Sequence, residues 1–358
     1  MLQKVRPIAI YLPQFHPIPE NNEWWGKGFT EWTNVTKAKP LFKGHYQPHL
    51  PADLGFYDLR MPELQEAQAQ MARDYGIYGF CYYHYWFNGK KLLERPIENI
   101  LKNQRPDFPF CLFWANESWS RTWWDDKNEI LIKQTYSDAD SVNHAQYLCT
   151  AFSDNRYIRI NNRPVFIIYR PLDIPSFNKY IDKFKNELAR LNCNEPYIIA
   201  TNSHNQSINY LTIGFDGILN FEPQFSIVRN FMKDKRNLQK FIYNSKHHIF
   251  NSKLKIISYN TAKDLMENRQ FPYKYYPCVL VGWDNSPRRG EKGIIMINQN
   301  QERFRESLQK AKEYVENNTL DDNIIFVNAW NEWAEGNHLE PDLNNGYKYL
   351  EQIKNTFN

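Results

Sequence analysis

Cysteine is scarce in this chain. The five present, Cys81, Cys111, Cys149, Cys193 and Cys278, are odd in number, scattered and never spaced as C-x-x-C. That excludes a disulfide scaffold and reads as reduced thiols of a cytoplasmic protein. Glycine is also thin, 14 of 358 residues, and neither G-x-G-x-x-G nor a phosphate-loop sequence occurs, so a nucleotide-binding doubly wound sheet lacks its usual signature. No run of 18 apolar residues exists, which excludes a membrane-spanning helix. The first residues, Met1 to Pro7, lack the long apolar stretch and small-residue cleavage site of a signal peptide. No H-E-x-x-H or comparable ligand cluster supports metal catalysis, and no G-x-S-x-G elbow supports a serine nucleophile, so no metal and no cofactor are expected.

Aromatic residues are abundant: 16% of the chain, with 11 Trp. Something in this protein uses flat apolar surface. Net charge is only +4, from 44 Lys+Arg against 40 Asp+Glu, but it is uneven. Between Ile227 and Arg269 there are ten Lys/Arg and three Asp/Glu. A nucleic-acid binder would spread its cations along a gripping face, so the concentration reads instead as an inserted basic lobe at about 226–270, with no nucleic-acid partner expected. Weak contact with an anionic membrane surface is the partner such a lobe suggests, which would place the protein in the cytoplasm at the periphery of the inner membrane.

Eight short apolar runs, at 7–12, 77–84, 108–114, 164–169, 197–201, 216–221, 277–282 and 324–330, are rich in β-branched and aromatic residues. Helical patterns near 62–75, 93–104, 141–152, 177–191, 302–316 and 347–354 lie between them. Strands that are apolar throughout suit a parallel sheet covered on both faces, and eight of them alternating with helices predict an α/β protein, a (β/α)₈ TIM barrel. The whole chain, 1–358, reads as one catalytic domain with long loops after strands one and six. Loops of that length are usually walls or lids of a site.

Barrel enzymes build their sites at the C-terminal ends of the strands. There this sequence carries Gln14 and His16 after strand one, and Tyr83, His84 and Trp86 on strand two. Trp114, Asn116 and Glu117 end strand three, and Trp119 follows. Tyr169 ends strand four, Asn202 strand five, Glu222 strand six, and Trp283 with Asp284 strand seven. Strand eight runs into Trp330, Asn331, Glu332, Trp333, Ala334, Glu335 and Gly336. The pair Glu332 and Glu335 is the strongest chemical signal. An offset of three would put them on opposite faces of a continuing strand, but a turn helped by Gly336 would point both at one pocket. Two carboxylates beside Trp suit acid/base work, because partial burial raises one pKa while the other group stays ionised. Sugars need such surroundings: their C–H faces stack on Trp and Tyr, and their hydroxyls need polar partners.

Several segments resemble the WbsX family, proteins with a glycoside hydrolase family 99-like domain frequently encoded in bacterial O-antigen and capsule clusters. They are Tyr11-Leu12-Pro13-Gln14-Phe15-His16-Pro17, Asn22 to Trp25, Gly28-Phe29-Thr30-Glu31-Trp32-Thr33-Asn34-Val35, Tyr82 to Trp86, and Asn331 to Gly336. The resemblance runs over nearly the whole chain and brings in Glu31 as a substrate-binding candidate, beside Trp24, Trp25, Trp32, Trp86, Trp114, Trp119 and Trp123, which are already candidates for stacking on sugar. It implies a (β/α)₈ fold shared with endo-acting α-mannosidases and mannanases, in which the N-E-W-x-E-G segment supplies both catalytic carboxylates. Glu332 would assist the substrate's own 2-hydroxyl as internal nucleophile, and Glu335 would be acid and then base. Three functions follow as expectations: a retaining glycoside hydrolase or transglycosylase acting on a bacterial surface polysaccharide; a glycosyltransferase of lipopolysaccharide or capsule synthesis, with a donor phosphate near Arg229, Lys233, Lys235 and Arg236; or a glycan-binding protein without catalysis.

Overall fold

The computed structural model describes residues 4–121, 129–203, 208–233, 254–318 and 320–358. Eight parallel strands close on themselves: β1 (Arg6–Tyr11), β2 (Gly79–Phe87), β3 (Phe110–Trp114), β4 (Arg163–Ile168), β5 (Tyr197–Asn202), β6 (Gly217–Asn220), β7 (Tyr276–Leu280) and β8 (Ile324–Asn328). β1 pairs with β2 on one side and with β8 on the other, Ile8 lying opposite both Gly79 and Phe326. That closure leaves no free edge and makes the chain a (β/α)₈ barrel. Gly79 is required at the β2–β3 seam, because a Cβ there would lie 2.6 Å from the Pro109 carbonyl oxygen.

Helices Pro62–Asp74, Arg95–Asn103, Asp138–Phe152, Phe177–Arg190, Gln301–Asn317 and Lys348–Phe357 cover the strands. Residues facing them and residues facing the axis are both buried, which is why the strands read as unbroken apolar runs. The outer layer is aromatic: the ring of His144, from Asp138–Phe152, stacks on Trp86 at 4.7 Å and meets Trp114 edge-on at 4.6 Å.

The loop after β1 contains two short helices, Pro19–Trp25 and Glu31–Lys37. Within the basic segment after β6, the described parts are helix Phe225–Lys233, strand Lys255–Ser258 and helix Tyr259–Glu267; Lys235, Arg236 and the rest of 234–253 lie outside the described residues, as does Trp123. Strand Lys255–Ser258 pairs in parallel with Ile294–Ile297, and together they cover a second small core containing Val228, Tyr259 and Trp283.

One expectation is corrected. Cys149 and Cys193 form a disulfide, leaving Cys81, Cys111 and Cys278 as buried free thiols. Cys149 lies in helix Asp138–Phe152 and Cys193 just after helix Phe177–Arg190; these helices are neighbours on the barrel, which brings the two Cα atoms to 6.0 Å, and a separation of 44 in sequence carries no hint of it. Among the described residues no helix is long and apolar enough to cross a membrane.

Candidate active site

After β8 the chain makes a tight reversal. Asn331–Glu332 pairs antiparallel with Asn337–His338, and a single 3₁₀ turn, Trp333–Glu335, joins them. Gly336 ends that turn at φ +56°, and a Cβ there would lie 3.1 Å from Asp284 Cβ. The Asp284 amide donates to the Glu335 carbonyl at 2.6 Å, tying the reversal to the end of β7. The turn lets both glutamates reach one cation. Arg288, on the helical turn Ser286–Arg289 after β7, donates from Nη2 to Glu332 at 2.9 Å and from Nη1 to Glu335 at 2.6 Å. Its Nε donates to Glu31 at 2.9 Å.

All four side chains are buried, so their charges are poorly screened. Three carboxylates surround one guanidinium, and the surplus negative charge favours retention of a proton. Burial pushes Glu335 up to about 8; Arg288 opposes that rise, and Glu332 and Glu31 add to it. Burial also raises Glu332, again against Arg288. For Arg288 burial works against its charge, but Glu31, Glu335 and Glu332 outweigh it and hold the guanidinium firmly protonated.

These groups floor a cavity of about 230 Å³ at the C-terminal end of the barrel. Its walls are Trp25, Phe29, Trp119, Phe225 and Trp283, with Gln14, Asn34, Glu117, Ser118 and Asn328 as polar groups and Tyr83, Tyr85 and Tyr169 as hydroxyls. Burial raises the three tyrosines, so they are hydrogen-bond donors across the physiological range. Beneath them Phe113 packs 5.2 Å from Tyr83, 5.9 Å from Tyr169 and 5.8 Å from Phe221. At the side, Glu117 pairs with Arg170 at 3.0 Å.

Of the residues predicted from sequence, Gln14, Trp25, Glu31, Tyr83, Glu117, Tyr169, Trp283, Glu332 and Glu335 line the cavity. The others lie elsewhere. His84 and Trp86 point to the helical layer because side chains alternate along β2: His84 meets His144 at 2.9 Å and Trp86 donates to Asp140 at 2.7 Å. Trp114 faces the same layer. Asn116 ties the ends of β3 and β4 by accepting from the Arg170 amide at 2.7 Å and donating to its carbonyl at 2.9 Å. Asn331 does the same across the closing seam, accepting from the Leu12 amide at 2.7 Å and donating to its carbonyl at 3.0 Å. Asp284 holds His45 and Gln47, at 2.7 and 2.6 Å, so it anchors the loop after β1. Glu222 is paired with buried Lys263 at 2.7 Å, and Asn202 donates to Tyr273 at 2.9 Å. Trp32 packs on Phe15 and Trp333, Trp330 packs on Phe80, and His16 is buried, its pKa pulled down to about 4 by that burial.

Sequence reasoning missed Arg288, Tyr85, Phe29, Asn34, Phe225 and Asn328. Alternation from Tyr83 would have found Tyr85. A buried pair of glutamates needs a counter-cation, and the arginines just after strand seven were the available source.

Three further cations, Arg229, Lys255 and Arg289, lie close enough to feel one another's charge, and Arg229 and Lys255 are exposed. The Arg229 guanidinium lies 5.7 Å from the centre of the Phe225 ring. Burial lowers Lys255, with Arg289 and Arg229 adding to the effect; burial and Arg229 likewise lower Arg289, against Glu335. None of the three has a carboxylate partner among the described residues.

Residues 7–353 match the family model described as Glycosyltransferase WbsX. Two curated relatives, each titled uncharacterized protein WxcX and from two strains of Xanthomonas campestris pv. campestris, are 38% identical over 97% of this chain and 49% of their own length. The chain therefore spans about half the length of the curated relatives it matches. Among solved structures, a GH99 endo-α-mannosidase from Bacteroides thetaiotaomicron is similar with a TM-score of 0.55 at 15% identity, covering 98% of this chain and 96% of that one. A glycoside hydrolase-like protein is similar with a TM-score of 0.62 at 13% identity, covering 99% and 94%. At such identities the likeness is one of fold.

Proposed function

This chain belongs to the WbsX family, and from that membership and the geometry of the cavity we propose that it is a carbohydrate-active enzyme, one catalytic domain working on an oligo- or polysaccharide by glycosidase-type chemistry. The observation that carries this reading is Arg288 holding Glu332 and Glu335 together under an aromatic-walled cavity. A carboxyl group raised to about 8 is protonated at neutral pH and can deliver its proton to a glycosidic oxygen. In the proposed sequence Glu335 protonates the leaving oxygen while Glu332 accepts the proton of the sugar's 2-hydroxyl. The freed oxygen attacks the anomeric carbon as the glycosidic bond breaks. Glu335, now ionised, takes a proton from water, whose oxygen opens the internal bridge with retained configuration; Glu332 returns its proton to the 2-oxygen. Trp25, Phe29, Trp119 and Trp283 offer faces on which sugar rings stack.

A second reading, transfer of a sugar onto a lipid-linked intermediate at an anionic membrane surface, is favoured by Arg229, Lys255 and Arg289, which have no carboxylate partner among the described residues and would suit a donor phosphate. A binding role without catalysis leaves the buried pair on Arg288 without a use.

Product analysis by mass spectrometry separates these readings. Wild type and the E332Q/E335Q double variant are incubated with bacterial surface polysaccharides, and in parallel with nucleotide- or lipid-linked sugars plus acceptors. Shortened glycans from wild type alone, without a donor, are expected. Extension that requires a donor overturns the hydrolase and establishes the transferase. Binding without any product establishes the third.

A further inference from the structure

Outside the cavity, three buried side chains meet from stretches far apart in sequence: His49 in the loop after β1, and His338 and Asp342 beyond the Glu335 turn. His49 Nδ1 lies 2.9 Å from His338 Nε2, Asp342 Oδ2 lies 3.8 Å from the same nitrogen, and one donor atom from each residue falls within 4.8 Å of the other two. We propose that His49, His338 and Asp342 bind a divalent first-row cation, zinc above all, that staples the loop after β1 to the segment carrying Glu335.

Zinc bonded at about 2.0–2.1 Å in a tetrahedron separates its ligand atoms by roughly 3.3 Å. The 2.9 and 3.8 Å separations lie on either side of that spacing, and the remaining pair, His49 and Asp342, is within 4.8 Å, so side-chain adjustment is what a bound ion would require. The atoms around the triad already aim it. His338 Nδ1 lies 2.9 Å from the Glu340 carbonyl, which can only accept, so Nδ1 carries the proton and Nε2 turns its lone pair to the triad. A ring N–H given to a carbonyl is the support a metal-bound histidine ordinarily has. Asp342 Oδ1 accepts from the Asn344 and Asn345 amides at 2.8 and 2.7 Å, and Asn345 Nδ2 donates to Oδ2 at 2.9 Å, fixing the carboxylate.

The rings are held as firmly. His338 stacks on Trp333 at 3.8 Å, and His49 on Tyr46 at 4.3 Å. Burial keeps both histidines neutral, as ligands must be, with His49 pulled down to about 4. In the metal-free triad His49 Nδ1–H donates to His338 Nε2. The cation displaces that proton, and His49 stays neutral by carrying it on Nε2 instead. Two neutral imidazoles and one carboxylate are a zinc ligand set of familiar composition.

The test uses the full chain without an affinity tag, stripped with a chelator, equilibrated with micromolar zinc and dialysed. One zinc per chain by elemental mass spectrometry is expected, with a higher thermal midpoint that chelation reverses. H49Q should bind zinc roughly 100-fold more weakly or worse while keeping its far-ultraviolet dichroism. Cobalt in the wild-type protein should give the intense visible bands of a four-coordinate N/O site, a readout that holds even where H49Q fails to fold. Wild type without stoichiometric zinc, or zinc held equally by H49Q, overturns the proposal and leaves the triad a hydrogen-bonded relay.

Discussion

Glu31 and Arg288 are 257 residues apart in sequence and 2.9 Å apart in space. The first comes from the loop after β1 and the second from the turn after β7, so the wall of the cavity and its paired glutamates share one cation. Replacing Arg288 with Met leaves three buried carboxylates without a counter-charge. Removing one partner of a buried ion pair costs about 3–5 kcal/mol, and here the cost should shrink as acid protonates the carboxylates. Calorimetry at pH 5 and pH 7.5 checks this; an equal fall in thermal midpoint at both would contradict the charge argument.

The elevated Glu335 sets two pH dependences of opposite use. In the proposed role of proton donor it would work in its protonated form, so turnover should fall as pH rises through about 8, and Glu335→Gln should lower turnover by about 10²–10⁴ and remove that limb. Its folded pKa lies above the unfolded value of about 4.3, so its contribution to stability is full below that value and lost as pH rises through about 8. The Gln variant should therefore show a flatter stability profile over that window. A pH–rate profile and pH-dependent denaturation test the two separately.

Two tryptophans, Trp86 facing the helical layer and Trp25 lining the cavity, should respond differently to substitution. Trp86→Phe removes the bond to buried Asp140 and should cost about 1–3 kcal/mol of stability with KM unchanged. Trp25→Ala, in the cavity wall, should weaken glycan binding by up to about tenfold with little loss of stability. Denaturant titration beside steady-state kinetics distinguishes them; a raised KM in the Trp86 variant would contradict its outward placement.

Asn331 acts on the backbone of Leu12 rather than on sugar. Asn331→Ala strands a buried amide and a buried carbonyl, a loss of about 2–4 kcal/mol. Turnover should fall with it, because the adjacent Glu332 loses its support, whereas glycan binding by the variant at low temperature should persist. Loss of binding with stability intact would make Asn331 a sugar ligand after all.

The barrel was legible because each strand is buried on both faces, so runs such as Phe110–Trp114 stand out as unbroken apolar stretches. The reversal at Gly336 was legible too, since glutamates three apart at the end of a strand cannot share a pocket if the strand continues. Which strand-end residue faces inward was not. β2 runs on to Phe87, past the predicted end at 84, and its alternation sends Tyr83 and Tyr85 into the cavity while His84 and Trp86, equally polar and aromatic, face the helices. Arg288 stayed hidden because its partners come from other strands. The parallel pair Lys255–Ser258 and Ile294–Ile297 was lost in a segment whose charge dominated its reading.

The clamp between Leu12 and Asn331 sits where the barrel closes, across 319 residues. Glu31 follows the first strand, Arg288 the seventh, and the paired glutamates the eighth. No partial barrel contains the set, so an incompletely folded chain is chemically silent, and competence arrives in one step with the meeting of β1 and β8. The same seam works in reverse: if it parts under heat or denaturant, the carboxylates separate from Arg288 while the helices on the far side are still wound. Loss of the proposed activity should then precede the loss of helical signal, and the site becomes its own gauge of whether the ring is shut.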